Sequence, residues 1–306
     1  MFTRLSLLLA LLAACVALVH TAPAPAPAPA TIPRLQKRDA DFLSVKTKNR
    51  KDHSGKKGDP VEKYFHESTF HPHYDGRFAE HTLSYDDRLS NLTALVQTYL
   101  STMHDIGAET WIMHGSLLGW WWNRKIMPWD TDIDVQISEQ SMHYLASYYN
   151  MSVHHFNIPG TDQSRDYMIE VNPHYTNGST KDWLNVIDAR WIDTDTGLFI
   201  DITTVRHDKE REENGQAGWM YCKDKHHFRF DDIFPLRDST FENMPVKIPF
   251  AYQALLQEEY GSRSLTNTRY EGHRFDQTEM KWIPLNSYCS THKNECRSGT
   301  HQGGGD

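Results

Sequence analysis

Asp132 and Asp134 stand two residues apart in Asp132-Ile133-Asp134-Val135-Gln136-Ile137, where polar and apolar residues alternate strictly. That is the period of a half-buried strand, and on a strand the two carboxylates project to one face. Two anions so placed repel unless a cation lies between them. A hard divalent ion such as Mg2+ or Mn2+ supplies that cation, because it prefers oxygen ligands and leaves room for phosphate oxygens. Just upstream, His114-Gly115-Ser116 falls where a short strand ends and a helix begins. The backbone N–H groups there, and the Ser116 hydroxyl, suit a phosphate. Such an arrangement calls for a third carboxylate on a neighbouring strand. Asp201, in the apolar run Phe199-Ile200-Asp201-Ile202, is one candidate, since an unpaired charge there is expensive to bury. Asp188, in Val186-Ile187-Asp188, is its rival. Together these residues follow the logic of a nucleotidyltransferase-like site.

Read singly, each has an ordinary alternative. Asp-x-Asp is usually a solvated strand face, Asp201 can hold a turn as a buried acceptor, and Gly115-Ser116 can be a plain helix cap. Arg124 and Lys125 are placed for phosphate but also suit open solvent. Trp120, Trp121 and Trp122 are adjacent, so on a helix they point in different directions; at least one serves packing and the others are free to stack on a sugar or base. His71-x-His73, His154-His155 and His226-His227 lack a third ligand at useful spacing and read as surface histidines. The charge run Lys209 to Glu213 reads as a solvated loop or helix face. The chain has no Gly-x-Ser-x-Gly elbow, no Walker A lysine motif and no Gly-x-Gly-x-x-Gly loop, which removes the main support for hydrolase, P-loop and Rossmann functions.

The elements that must position these residues follow from periodicity. Leu89, Leu92, Leu95, Val96, Tyr99, Leu100 and Met103 recur at steps of three and four between Ser84 and Gly107, with a capping-box-like start at Ser84 and Asp87, and predict one amphipathic helix. A short strand is expected at Thr110 to Met113, then a helix through the tryptophans, a loop at Pro128, the Asp132 to Ile137 strand and a helix capped by Ser138 that runs to about Tyr149. Further strands are expected at Tyr167 to Val171, Asn185 to Trp191 and Leu198 to Val205, the last two as a hairpin around Asp193-Thr194-Asp195-Thr196-Gly197. A helix from Tyr252 to Tyr260 stops at Gly261. The fold class expected is α/β (α+β), a mixed sheet flanked by helices in a single catalytic domain.

The whole chain has 306 residues, 32 Lys+Arg against 40 Asp+Glu, and 39% hydrophobic residues, which fits a globular protein and excludes collagenous, coiled-coil and multi-span membrane classes. It is not basic enough for a nucleic-acid partner. Met1 to Arg4 and the apolar run Leu5 to Val19 form a signal-peptide pattern over residues 1–22. At 15 residues the run is shorter than the roughly 20 a membrane anchor needs, so no integral span is expected after cleavage. An Ala/Pro-rich propeptide is assigned to 23–38, ending at the dibasic Lys37-Arg38, and a basic linker, read as a disordered tether, to 39–80. The folded domain is expected over 81–290 and a polar Gly-rich tail over 291–306. From Pro60 onward carboxylates exceed cations by 14, an excess that invites divalent metal. Asn91, Asn150 and Asn177 head N-glycosylation sequons, which with the leader point to the secretory pathway. There the Cys289 to Cys296 interval reads as a disulfide loop, with Cys222 left over.

As a block, His114-Gly115-Ser116-Leu117-Leu118-Gly119, Trp120-Trp121-Trp122-Asn123, Pro128-Trp129-Asp130 and Asp132-Ile133-Asp134-Val135-Gln136 resemble the LicD/fukutin family, its fungal mannosylphosphate branch in particular. Weaker matches continue through Phe199 to Ile202, Ile233 to Leu236, Val246 to Pro249 and Glu259-Tyr260-Gly261. The resemblance implies a nucleotidyltransferase-like fold and transfer of a phosphorylated sugar, mannose phosphate from GDP-mannose, onto a glycan hydroxyl. It implies Asp132, Asp134 and Asp201 as catalytic, metal-binding carboxylates for Mg2+ or Mn2+, and Gly115, Ser116, Arg124 and Asp130 as substrate-binding residues. A non-catalytic LicD-like regulator or partner of such a transferase is the alternative. Many family members carry Arg where this chain has Trp122, which shifts a phosphate contact toward Arg124.

Overall fold

A computed structural model of the chain describes residues 51–158 and 164–291. The expected leader, propeptide, first part of the linker and nearly all of the tail lie outside them. The described residues fall in one compact unit, Lys37–Asp306. No helix among them is long and apolar enough to cross a membrane.

The first long helix, α1 (Tyr85–Ile106), has the expected ends. The Ser84 side chain accepts from the Asp87 N–H, and Gly107 closes the helix in the left-handed conformation at φ 73°. Strand β1 (Thr110–Ile112) leads into α2 (His114–Asn123), followed by a loop, β2 (Asp134–Ser138) and α3 (Glu139–Tyr148), which is capped by Ser138. Strands β3 (Val153–Asn157), β4 (Ser164–Val171), β5 (Ala189–Asp193) and β6 (Phe199–His207) complete one mixed sheet in the order β1-β2-β6-β5-β4-β3. The pairing of β2 with β6 is parallel and the other pairs along this path are antiparallel. The expected α/β class, a mixed sheet flanked by helices, is the fold observed.

Pleating divides the sheet into two faces. Trp191 lies edge-on to Tyr99 and donates to Thr98, so Trp191 and its row face α1. The alternate positions Met168, Ile192 and Phe199 pack with Phe78 on the opposite face. Arg190 and Asp201 share the parity of Ile192 and Phe199, which puts them on that second face. Asp134 pairs in register with Asp201 and stands there too.

The same face is covered by residues 51–80, where the sequence suggests the second part of a tether. From Phe65 onward this stretch is packed: Phe65, Tyr74 and Phe78 are buried, Tyr74 bridges Leu198, and Arg77 spans Asp75 and Glu170. Its aromatic residues supply apolar area that the high local charge conceals in a composition count. The β5–β6 turn fits against it closely. Gly197 sits at φ 74°, and a Cβ there would lie 2.6 Å from the Ala79 Cβ.

After β6 come α4 (Lys209–Glu213), which buries none of its charged residues, then β7 (Trp219–Tyr221), which pairs with the end of β6, and β8 (His227–Arg229). A short α5 (Phe230–Ile233), the hairpin β9 (Arg237–Phe241) and β10 (Met244–Ile248), and α6 (Tyr252–Tyr260) follow. A 3-10 turn at Ser262–Leu265 leads to a small sheet of β11 (Arg269–Tyr270), β12 (His273–Asp276) and β13 (Lys281–Pro284), and α7 (Asn286–Thr291) ends the described chain. Cys289 is disulfide-bonded, its partner lying outside the described residues, and Cys222 is buried and free.

If residues 51–80 belong to the domain, Tyr74→Ala opens a cavity costing about 3–5 kcal/mol. At about 2–4 °C per kcal/mol for a domain of this size, its melting temperature falls by roughly 10 °C. A free tether would tolerate the change, and a thermal melt followed by circular dichroism distinguishes the two.

Candidate active site

The β2–β6 register places Asp134 directly beside Asp201. Asp132 does not lie on the strand as its alternation suggests, since β2 begins at Asp134 and Asp132 sits in the loop before it. The loop still brings three carboxylates together: Asp130, Asp132 and Asp134 line one cleft of about 560 Å3, with Gly115 in the same lining. A Cβ on Gly115 would stand 3.1 Å from an Asp130 oxygen, so the glycine lets this carboxylate approach the start of α2.

The electrostatics follow from that convergence. Burial, and next Asp132 beside it, push the Asp130 carboxyl up to about 8. Burial also pushes Asp134 well above the usual carboxylate range, followed by repulsion from Asp132, Asp201, Asp130 and Glu259. An all-oxygen set of mutually repelling carboxylates is the donor chemistry that Mg2+ or Mn2+ takes, so the residues fit the metal the sequence implies.

These aspartates are held by different partners. The Asp134 N–H donates to the Ser116 Oγ at 3.1 Å. Arg190 Nε donates to the Asp201 Oδ1 at 2.8 Å, and the Arg190 guanidinium lies 3.7 Å from the centre of the Phe199 ring. His73 Nε2 is 3.6 Å from an Asp132 oxygen, and its Nδ1 is 2.7 Å from the Thr131 hydroxyl. Asp188, the rival third carboxylate, is fully buried and bound to Arg206 at 3.1 Å and Lys223 at 2.8 Å. It is spent on that knot, and Asp201 is the carboxylate that neighbours Asp134.

The side chains of two expected substrate contacts are engaged with the protein itself. Ser116 is buried, and its hydroxyl is engaged with Asp134. Arg124 terminates α2 in the left-handed conformation, lies over the Trp120 ring and donates to the Ser239 hydroxyl at 2.6 Å, outside the cleft. The cation in the cleft lining is Arg263, on the 3-10 turn. The tryptophans divide as their adjacency requires. Trp120 is buried and donates to Ser239, Trp121 donates to the Leu265 carbonyl, and Trp122 donates to the Ser264 carbonyl while facing the cleft.

Sequence reasoning missed several residues of the site. His73 reads as half of a surface pair, yet it reaches Asp132 from the N-terminal stretch. Tyr260, Arg263, Tyr270 and Trp282 line the cleft from beyond Ala251, and Trp129 packs 5.5 Å from Tyr270 and 4.9 Å from Trp282. The Glu259-Tyr260-Gly261 match points at this corner without giving it a role.

Residues 107–251 match the profile described as the LicD/FKTN/FKRP nucleotidyltransferase domain. Two curated proteins of Saccharomyces cerevisiae are similar to the chain. Mannosyltransferase regulator 4 is 34% identical over 137 residues, which are 43% of this chain and 11% of that protein. Mannosyltransferase regulator 14 is 33% identical over 135 residues, 43% of this chain and 14% of that protein. The chain therefore spans only a small part of either relative.

The shifted carboxyls set a pH dependence. A carboxyl raised in the folded state contributes stability that is fully present below its unfolded pKa, about 4, and lost as pH rises through its folded value, here about 8 for Asp130. Asp224, held down to about 2, acts with the opposite sign and only in acid below that window. EDTA-treated protein therefore loses thermal stability between pH 4 and pH 8. Mn2+ restores it most at the alkaline end, and Asp130→Asn raises the metal-free melting temperature at pH 8 by about 2–4 °C for each kcal/mol of repulsion removed. Scanning calorimetry across pH checks this, and a flat profile would remove the argument for a strained carboxylate cluster.

Proposed function

Since residues 107–251 match the LicD/FKTN/FKRP nucleotidyltransferase-domain profile, we propose that the chain is a metal-dependent phosphotransferase of the secretory pathway. It moves a phosphorylated sugar, mannose phosphate from GDP-mannose, onto a glycan hydroxyl. The observation that carries this reading is the convergence of Asp130, Asp132 and Asp134 on one cleft with Asp201 beside Asp134. A sugar-binding or partner-binding surface has no need of that costly arrangement.

Asp132, Asp134 and Asp201 are the residues that would hold Mg2+ or Mn2+, with Asp130 against Gly115 beside them. When bound, the ion neutralises the donor pyrophosphate and lowers the cost of charge on its bridging and terminal oxygens. The chain's own groups do the positioning. Gly115 offers a backbone N–H at the start of α2 to a donor phosphate, and Arg263 offers the guanidinium. The ring faces of Trp129 and Tyr270 form a wall on which a base or sugar can stack. Arg190 fixes the orientation of Asp201 through a bond made on the second face of the sheet. In the transfer, a bond forms between the acceptor oxygen and the sugar-bearing phosphorus, the pyrophosphate bridge breaks, GMP leaves and the hydroxyl proton passes to a carboxylate of the cluster.

A regulatory reading has its own support, because both yeast relatives are named regulators of a mannosyltransferase. Calorimetric titration separates the two. GDP-mannose binding that requires Mn2+, and falls at least a hundredfold in Asp132→Asn/Asp134→Asn, supports the transferase. A wild type that binds neither GDP-mannose nor CDP-linked donors with either metal overturns it in favour of the regulator.

Secretory placement predicts glycan occupancy site by site. Asn177 is exposed in a loop. Asn91 is buried in α1, where its amide donates to the Asp87 carbonyl and receives Arg165. Asn150 is half-buried, and its side chain accepts from the Val171 N–H. Peptide mapping of secreted protein should find the glycan at Asn177 and an unmodified Asn91; a fully occupied Asn91 would contradict the packing of α1.

A further inference from the structure

Beside the aspartates lies a second group of ligating side chains, drawn from three elements. His114 opens α2 at φ 52°, Glu259 lies in the last turn of α6, and His226 sits in the turn between β7 and β8. One ligand atom from each of His114, His226 and Glu259 lies within 4.8 Å of the other two, and the imidazole rings stand 4.6 Å apart. Each imidazole also has a carboxylate near its Nδ1. Glu259 is 2.8 Å from the Nδ1 of His114, and Asp224 is 3.1 Å from that of His226.

The decisive feature is how these groups face one another. The His114 Nδ1 and the Glu259 Oε1, 2.8 Å apart, share a proton where two ligands can share an ion. Asp224 Oδ2, 3.1 Å from the His226 Nδ1, orients that ring and leaves its Nε2 to ligate. The His114 Nε2 is buried with no hydrogen-bond partner, so nothing fixes this imidazole from its far side. His114 is also held in the left-handed region without being glycine, a backbone cost that the surrounding packing must sustain.

We propose that His114, His226 and Glu259 bind a borderline dication of the Zn2+ class, at a site separate from the aspartates. Two imidazoles and one carboxylate select Zn2+ over Mg2+, which prefers oxygen donors and keeps its water. Asp224 steadies His226 from behind, with Cys222 on the same side of that ring. The ion has a path in, because the His226 side chain is 42% exposed. Bound there, it ties the start of α2, the end of α6 and the β7–β8 turn into one corner, which fixes the wall from which Gly115 and Tyr260 face the cleft. The site stands on these residues alone and does not rest on the transferase reading.

The test uses the full chain stripped with EDTA and titrated with Co2+ as a spectroscopic probe, then with Zn2+ alone. Visible d–d bands should appear in the wild type, persist in Asp132→Asn/Asp134→Asn, and vanish in both His226→Ala and Glu259→Gln. Asp224→Asn should weaken Zn2+ binding by about 10- to 100-fold, the usual effect of removing an orienting partner. Zinc-edge X-ray absorption of the wild type needs no variant and should show two imidazoles in the first shell. An oxygen-only shell, bands that survive in both His226→Ala and Glu259→Gln, or bands that vanish in the aspartate variant overturn the proposal.

Discussion

The parallel pairing of β2 with β6 is the constraint on which the rest depends, because it fixes Asp134 against Asp201 before any side chain has a choice. Two adjacent strand positions bearing like charge on one face repel, and nothing local relieves them. The relief comes from outside the pair. Ser116 holds the Asp134 backbone, Arg190 holds Asp201 from the next strand, and His73 stands against Asp132. The apolar core around β5 and β6, with Trp191, Ile200 and Ile202 fully buried, supplies the stability against which the repulsion is tolerated.

A comparison around the same sheet separates a carboxylate neutralised in place from carboxylates that repel one another. Asp188 is as buried as any residue in the protein, but it faces two cations and accepts from the Thr204 N–H, so its charge is neutralised in place. Asp130 and Asp134 are less buried and have carboxylates for neighbours, so no cation neutralises them in place. Burial alone therefore does not mark the site. The sign of the nearest charge does, and that sign is set by topology rather than by local sequence.

This bounds what the chain reveals on its own. The caps of α1, the bounds of α6 and the β5–β6 hairpin are encoded within a few residues of each feature, and periodicity and turn chemistry reveal them, whereas Asp130 joins Gly115, Asp132 and Asp134 only through the family resemblance. The choice between Asp188 and Asp201 is open at that level, since both lie in apolar runs and only strand register tells them apart. His73 contacts a residue 58 positions away, and His114 one 145 positions away. A histidine pair with no third ligand nearby is indistinguishable from surface histidines when its partners are that distant. The expectation of a tether across residues 51–80 misleads for a related reason. Composition weighs every residue equally, whereas Phe65, Tyr74 and Phe78 act through the area each buries.

The distribution of the cleft's walls bears on where specificity resides. The residues proposed to meet phosphate and metal, Gly115 and the aspartates, fall inside the matched 107–251 segment. Tyr260, Arg263, Tyr270 and Trp282 come from the segment after it, carried on α6, the 3-10 turn and the small β11–β13 sheet. That sheet rests on the site through aromatic contacts, with Trp282 against both Trp122 and Trp129 at 4.9 Å. The two halves differ in the interaction they offer. Charge neutralisation at a pyrophosphate is common to every nucleotide-activated donor and cannot tell one from another, whereas ring faces and a guanidinium discriminate by the shape and polarity of what stacks on them. A domain that keeps its carboxylates and exchanges the segment after α6 would thus retain its chemistry and change its substrate.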